Sequence, residues 1–191
     1  NYNESTGFVS YASTEEDIYI DARPTIKIQY RDAKGIEDYW TYTSDSVGRA
    51  GTGMVNNFNG NLVFVHDDLS MTGNRMPVSI SHIYNSYNVS GSNMGVGWKL
   101  NLSQYVGKIT SGDLYDNNYR YTYTDGDGTL HYFIQNDSEI IDEDGLGLKI
   151  TEDLNSTDAR YTITDKNLNK MEFKILTGGA YLYKIKDNNG N

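Results

Sequence analysis

The chain has 191 residues, with 16 basic against 26 acidic side chains and a formal net charge of -10 at pH 7. This balance disfavours binding to nucleic acid or to an anionic membrane surface, because both need clustered Lys and Arg. The absence of Cys excludes disulfides, thiolate chemistry and Cys-containing zinc sites. No apolar run approaches the roughly 18 residues that span a bilayer, so we expect no membrane insertion.

Residues 1–44 are predicted to be the C-terminal end of a preceding module, and residues 22–30 resemble the last strand of a β-sandwich, which implies a β-sandwich-like module. After Pro24, the apolar residues Ile26, Ile28 and Tyr30 alternate with polar ones, which is typical of a half-exposed strand. The small, polar and Gly-rich residues at 45–54 predict a linker or loop.

Residues 55–191 are predicted to be all-β, because short alternating segments recur about every 8–12 residues between turn signals. No stretch of a dozen residues holds a helical period. The predicted alternating faces are Met76, Val78, Ile80, His82 and Tyr84; Trp98, Leu100 and Leu102; Tyr119, Tyr121 and Tyr123; and Leu130, Tyr132 and Ile134. We expect the strands after Met54 to form one continuous antiparallel sheet that further strands can extend.

One sequence motif occurs twice. Residues 121–125 (Tyr-Thr-Tyr-Thr-Asp) are followed eight residues after the Asp by Phe133, and residues 161–165 (Tyr-Thr-Ile-Thr-Asp) are followed at the same interval by Phe173. Residues 182–191 hold a looser third copy. Each copy predicts a strand, a polar turn and a returning strand. Because the last copy is incomplete, we expect the chain to be a fragment of a longer repeat protein.

Several short motifs follow one another in a recognisable order. They are Val55-Asn-Asn-Phe-Asn-Gly-Asn61, Gly73-Asn-Arg-Met-Pro77, Gly95-Val-Gly-Trp98, Tyr123-Thr-Asp-Gly-Asp-Gly-Thr129 and Asp187-Asn-Asn-Gly-Asn191. In this succession, residues 55–191 resemble the N-terminal part of Rhs/YD-repeat proteins, the family that includes bacterial wall-associated polymorphic toxins and the teneurins.

The resemblance implies a long spiral β-sheet that closes into a hollow shell, which in toxins encloses a C-terminal effector. This chain would then be a non-catalytic segment that starts or plugs the shell of a large secreted or cell-wall protein. Its partners would be the remaining repeats of the same parent chain, and no cofactor is implied. The alternative hypothesis is a cell-surface carbohydrate-binding or adhesion module with a cell-wall glycan as partner.

Asp125 and Asp127 are candidate calcium ligands, because alternate Asp residues in a Gly-rich loop can converge on a hard cation. An EF-hand loop that started at Asp125 would need Glu at its twelfth position, where Asn136 stands. Asp-Gly between two alternating segments is a strong hairpin signal. We therefore favour a hairpin turn at residues 125–128.

His66, Asp67, Asp68 and His82 could together ligate zinc, or could form a triad with a serine. No third orienting group and no nucleophile motif accompany them. We favour polar strand and turn positions for these residues and for His131, so the chain is predicted not to be an enzyme.

The acidic stretch at residues 137–144 (Asp137, Glu139, Asp142, Glu143 and Asp144) is interpreted as solvated.

Exposed aromatic residues would be needed for the alternative carbohydrate-binding function. Two sets are candidates for a sugar platform: Tyr39, Trp40 and Tyr42; and Tyr119, Tyr121 and Tyr123. Opposed aromatic side chains also stabilise sheets by up to about 1 kcal/mol per pair. We favour cross-strand packing for both sets.

Overall fold

The computed structural model describes residues 34–73, 76–89, 91–92 and 94–191, together with residues 9–10 and 25–26. The chain divides into two compact units, Asn1–Ala33 and Lys34–Asn191. In the first unit, β1 (Val9–Ser10) pairs antiparallel with β2 (Thr25–Ile26). The rest of the strand predicted after Pro24 lies outside the described residues.

A five-stranded antiparallel sheet opens the second unit, in the order β3-β4-β5-β6-β9. Its strands are β3 (Tyr42–Ser46), β4 (Thr52–Asn56), β5 (Leu62–Met71), β6 (Val78–Asn85) and β9 (Trp98–Leu100). A separate hairpin joins β7 (Gly91–Ser92) to β8 (Gly95–Val96). Residues 45–54, for which the sequence predicts a linker or loop, belong to the β3–β4 hairpin, with a short 3-10 turn at Gly48–Ala50.

Eight further antiparallel strands form a closed barrel in chain order. They are β10 (Tyr105–Lys108), β11 (Tyr119–Thr124), β12 (Leu130–Asn136), β13 (Glu139–Asp142), β14 (Lys149–Glu152), β15 (Tyr161–Thr164), β16 (Lys170–Leu176) and β17 (Gly179–Lys186). One helical turn, α1 (Asp113–Asp116), lies between β10 and β11. No helix in the described part of the chain has the length and apolar character needed to cross a bilayer.

The all-β, antiparallel class predicted from the sequence is confirmed, but the prediction of one continuous sheet is wrong. The strands after Met54 divide between the sheet and the barrel, and the barrel closes where β10 pairs with β17. This closure is short, with Tyr105 opposite Tyr181 and Val106 opposite Ala180. Closure of this kind depends on sheet curvature, which alternation along single strands does not report.

The core of the unit lies inside the barrel. Its buried members are Val106, Tyr121, Tyr123, Phe133, Ile150, Tyr161, Ile163, Phe173 and Ala180. Both copies of the repeated sequence contribute equivalent residues to this core, because Tyr121 lies opposite Phe133 and Tyr161 lies opposite Phe173. The repeat therefore encodes one cross-strand Tyr–Phe pair per hairpin, and the two Phe side chains are fully buried.

The prediction of Leu130, Tyr132 and Ile134 as the apolar face of β12 is wrong. Phe133, on the opposite face, is the core residue, while Leu130 and Ile134 are only half-buried. The turn at residues 125–129 sets the register that places Phe133 beside Tyr121. Tyr132 is also buried, but it packs edge-on against Tyr119 at a ring-centroid distance of 6.0 Å.

Candidate functional site

Three turns of the barrel share one hydrogen-bonding pattern, and we call them the Asp turns. They comprise residues 125–129, 165–169 and 187–191. In each, the N–H of the Asp donates to the carbonyl of the fifth residue, and one carboxylate oxygen accepts backbone N–H groups from residues further along the turn. The fourth residue has a positive φ in all three: 96° at Gly128, 66° at Leu168 and 83° at Gly190.

The first Asp turn differs from the others because it is buried against a group of ionisable side chains. We call Glu37, Asp125, Asp127, His131 and Asp144 the polar junction. The imidazole of His131 is 2% exposed, with Nδ1 at 3.0 Å from Asp144 Oδ2 and Nε2 at 3.5 Å from Asp125 Oδ2. Its Nε2 also lies 3.6 Å from Glu37 Oε1. One buried histidine therefore faces three carboxylates.

The electrostatics of the junction follow from burial and from these contacts. Burial alone would lower the pKa of His131, but its hydrogen bonds to Asp125 and Asp144 raise it to about 10. Burial raises the pKa of Glu37 to about 7, although His131 opposes this. Burial and the neighbouring Asp125 raise the pKa of Asp127 to about 7. Burial by itself would raise the pKa of Asp125, but hydrogen bonds with His131 and Asp127 hold that pKa below its ordinary value.

The junction also joins the segment before β3 to the barrel. Asp127 Oδ2 accepts the N–H of Ile36 at 2.8 Å, and its Oδ1 accepts both the N–H and the hydroxyl of Thr129. Gly35 has a φ of 105°, and a Cβ there would lie 2.0 Å from Thr129 Oγ1. Only glycine allows this close approach.

Two fully buried asparagines extend the junction into the five-stranded sheet. Asn61 Oδ1 accepts the N–H of Gly35 at 2.9 Å, and Asn61 Nδ2 donates to Asn85 Oδ1 at 2.8 Å. Asn85 Nδ2 in turn donates to the carbonyl of Asp127 at 3.0 Å. Lys99, buried on β9, donates to the carbonyl of Asp125, and its burial lowers its pKa. The network therefore links three parts of the second unit: the segment just before β3, the five-stranded sheet and the barrel.

Asp125 and Asp127, the candidate calcium ligands, form the hairpin turn between β11 and β12. Asp125 Oδ1 accepts three backbone N–H groups, from Asp127, Gly128 and Thr129, at 2.9–3.0 Å. These donors occupy the lone pairs that a cation would need. Among the described residues, no group of three or more His, Cys, Asp or Glu side chains is arranged to hold a metal ion.

The structure brings together three of the four candidate residues for a zinc site or a serine triad. His66 and His82 lie opposite each other on β5 and β6, and Asp68 stands at a bulge beside them. The Asp68 carboxylate contacts His82 Nδ1 through one oxygen and approaches His66 Nε2 at 3.5 Å through the other. Asp67 instead accepts the hydroxyl of Ser81. The cluster is half-exposed, and each imidazole has a protein partner.

Most of the predicted aromatic platform residues are used for packing. Tyr119, Tyr121 and Tyr123 are only 4–5% exposed, so this ladder is closed to a sugar. The hydroxyl of Tyr42 donates to the carbonyl of Gly35.

The remaining members of the first platform stay at the surface. Tyr39 is 58% exposed, and Trp40 is stacked by Phe58 at a centroid distance of 4.9 Å. Phe58, which the sequence analysis did not include in a platform, is 77% exposed.

The acidic stretch is less solvated than predicted. Asp142 is buried, and its two carboxylate oxygens accept the N–H groups of Leu146 and Leu148. Glu143 accepts the hydroxyl of Tyr119 at 2.7 Å. Asp144 belongs to the polar junction, which sequence reasoning missed together with Glu37. The first Asp turn sets a register in which His131 lies opposite Tyr123. This register indicates that His131 faces inward.

Comparisons with known proteins give one family match and a set of distant relatives. Residues 52–133 match the family described as "Domain of unknown function (DUF6531)". The chain is 27% identical over 158 residues to the tRNA3(Ser)-specific nuclease WapA of Bacillus spizizenii. It has the same identity to the tRNA nuclease WapA of Bacillus subtilis strain 168 and to the tRNA(Glu)-specific nuclease WapA of Bacillus subtilis subsp. natto.

These matches cover 82% of this chain but only 6% of each relative. No solved structure matches the chain. The family match and the relatives support the family context that the sequence motifs indicate.

Proposed function

We propose that this chain is a non-catalytic structural segment that initiates or plugs the YD-repeat β-shell of a large exported bacterial protein. Its location would be secreted or at the cell surface, and its partners would be the other repeats of the same parent. An effector such as a nuclease, the activity for which the WapA relatives are named, would lie elsewhere in the parent.

The observation that carries this proposal is the repetition of the Asp turn and its Tyr–Phe pair. Two complete copies place equivalent residues in the barrel core, and the third turn at residues 187–191 has the same hydrogen bonds as the second. Repetition of a hairpin with its packing residues is typical of architecture, because each unit buries its apolar face against the next.

The use of the ionisable residues supports the same proposal. The buried carboxylates bind backbone N–H groups or His131, and the buried Asn61 and Asn85 bind Gly35 and Asp127. These contacts hold three parts of the unit together. Satisfied buried networks of this kind rigidify a fold.

The test is to compare the chain alone with the chain followed by the next repeats of its parent, using thermal unfolding and light scattering. A structural initiator is expected to gain stability when repeats follow it, because they bury strand edges. Equal melting temperatures, with the chain alone monomeric, would refute the proposal.

Carbohydrate binding is the second candidate, favoured by the exposed stack of Phe58 on Trp40 beside Tyr39. Fluorescence of Trp40, measured in a Trp98→Phe background, should be quenched by soluble cell-wall sugars if the stack binds them. Phe58→Ala should abolish the response, whereas Phe64→Ala is the aromatic control in the sheet. A flat titration would exclude this candidate.

A further inference from the structure

One strand of the barrel, β17, has an edge that is only partly hydrogen-bonded to a neighbouring strand. β17 pairs with β16 along its whole length, from Lys186 opposite Lys170 to Gly179 opposite Leu176. On its other side it pairs with β10 at Tyr181 and Ala180, and the N–H of Leu182 donates to Gln104. Within the described chain, no strand pairs with that side of residues 183–186.

The turn that follows this edge has the conformation of a hairpin turn. At residues 165–169, Asp165 accepts the N–H groups of Asn167 and Asn169 and the Nδ2 of Asn169. At residues 187–191, Asp187 accepts the same three groups from Asn189 and Asn191. The conformation therefore directs the chain back along β17.

The register of such a returning strand follows from the two complete copies. The residue before the turn pairs with the residue after it in both, Thr124 with Leu130 and Thr164 with Lys170. By the same rule, the first residue after Asn191 lies opposite Lys186, the sixth opposite Tyr181 and the seventh opposite Ala180. β12 and β16 each have 7 residues, so a strand of that length reaches the two positions at which β10 closes the barrel.

We propose that β17 accepts a strand continuing from the turn at residues 187–191, and that this strand takes the place of β10 on β17. The proposal deepens the proposed function and rests on it. The closed barrel is then a resting form of the segment, and addition of the next strand opens it at the β10–β17 seam.

The seam has the properties that an exchangeable closure needs. It consists of two residue pairs, against four between β10 and β11. Tyr105 and Tyr181 are 44% and 39% exposed beside a cavity of about 1140 Å³. Because Val106 fills a core position opposite Ala180, the incoming strand must supply apolar side chains on the inward face. Its fifth and seventh residues, opposite Leu182 and Ala180, face inward.

The experiment exploits the absence of Cys. Tyr105→Cys with Tyr181→Cys reports the closed seam by forming a disulfide, because opposed residues of an antiparallel pair lie within bonding reach. This pair is placed in the full chain, and in the chain extended after Asn191 by seven residues that alternate valine at odd with threonine at even positions. A matched control extension carries proline at its fourth and sixth positions, which cannot donate to a ladder.

We expect the disulfide to form fully in the unextended chain and in the proline control. In the valine–threonine extension its yield should fall about tenfold, the factor that corresponds to about 1.4 kcal/mol of preference for the added strand over β10. In a second variant, Ile185→Cys should cross-link to a Cys at the second extension position. An unchanged seam disulfide, or absence of the Ile185 cross-link, overturns the proposal. Both outcomes are independent of whether natural repeats stabilise the chain, which is the test of the proposed function.

Discussion

Leu168 is expected to destabilise the second Asp turn, and Leu168→Gly is therefore expected to stabilise the protein. Its φ of 66° lies in the left-handed region, where Gly128 and Gly190 stand in the other two turns. The side chain is 64% exposed, so replacing it removes little burial.

The magnitude follows from two opposing backbone contributions. A left-handed conformation costs a non-glycine residue roughly 1–2 kcal/mol. Glycine loses more freedom on folding than other residues, at a cost of about 0.5–1 kcal/mol. The difference predicts that Leu168→Gly raises the free energy of unfolding by about 0.5–1 kcal/mol, or the melting temperature by about 1–4 °C in a unit of this size.

Urea denaturation followed by tyrosine and tryptophan fluorescence measures this change, with an unchanged slope showing that the unfolded state is not altered. Leu154→Gly is the matched control, because Leu154 is 68% exposed and does not have a positive φ. In the control variant, the free energy of unfolding should fall or stay unchanged. A lower midpoint for Leu168→Gly, or equal shifts in both variants, would refute backbone strain as the cause.

Three further predictions concern buried groups. Asp125→Ala should lower the free energy of unfolding by about 3 kcal/mol, since three backbone N–H groups lose the partly buried carboxylate oxygen that accepts them. Asp187→Ala, at a half-exposed position, should leave the urea midpoint nearly unchanged. The pKa values of Glu37 and Asp127 are raised to about 7, so the folded state holds these protons more tightly and stability should fall as pH rises from about 4 through 7. Combining Glu37→Gln with Asp127→Asn should flatten that pH dependence in urea titrations, and an unaltered profile would exclude both groups. Phe133→Ala should cost about 3–5 kcal/mol by opening a cavity in the barrel core, and calorimetry showing a loss under 1 kcal/mol would contradict that packing.

Local features of the fold could be predicted from the sequence, whereas long-range pairings could not. The hairpin at residues 125–129 follows from Asp-Gly between alternating segments, and the burial of Tyr121 and Tyr123 follows from alternation along β11. The β10–β17 closure depends on the cumulative twist of eight strands. No single segment carries that information.

The polar junction could not be predicted from the sequence for a related reason. Glu37, His131 and Asp144 come from three distant segments, and each alone is an ordinary polar residue in an acidic chain. Their convergence needs the register of β12, which alternation misassigned by favouring Leu130 and Tyr132 over Phe133. A prediction that began from the equivalent Tyr–Phe pairs of the two repeats would have placed His131 on the inner face.

The bonds of each Asp turn are confined to five consecutive residues, so a hairpin can close without waiting for distant parts of the polypeptide. Low sequence separation between contacting residues favours rapid folding. A protein assembled from such units can acquire its shape strand by strand during synthesis, with each finished hairpin serving as the template for the next.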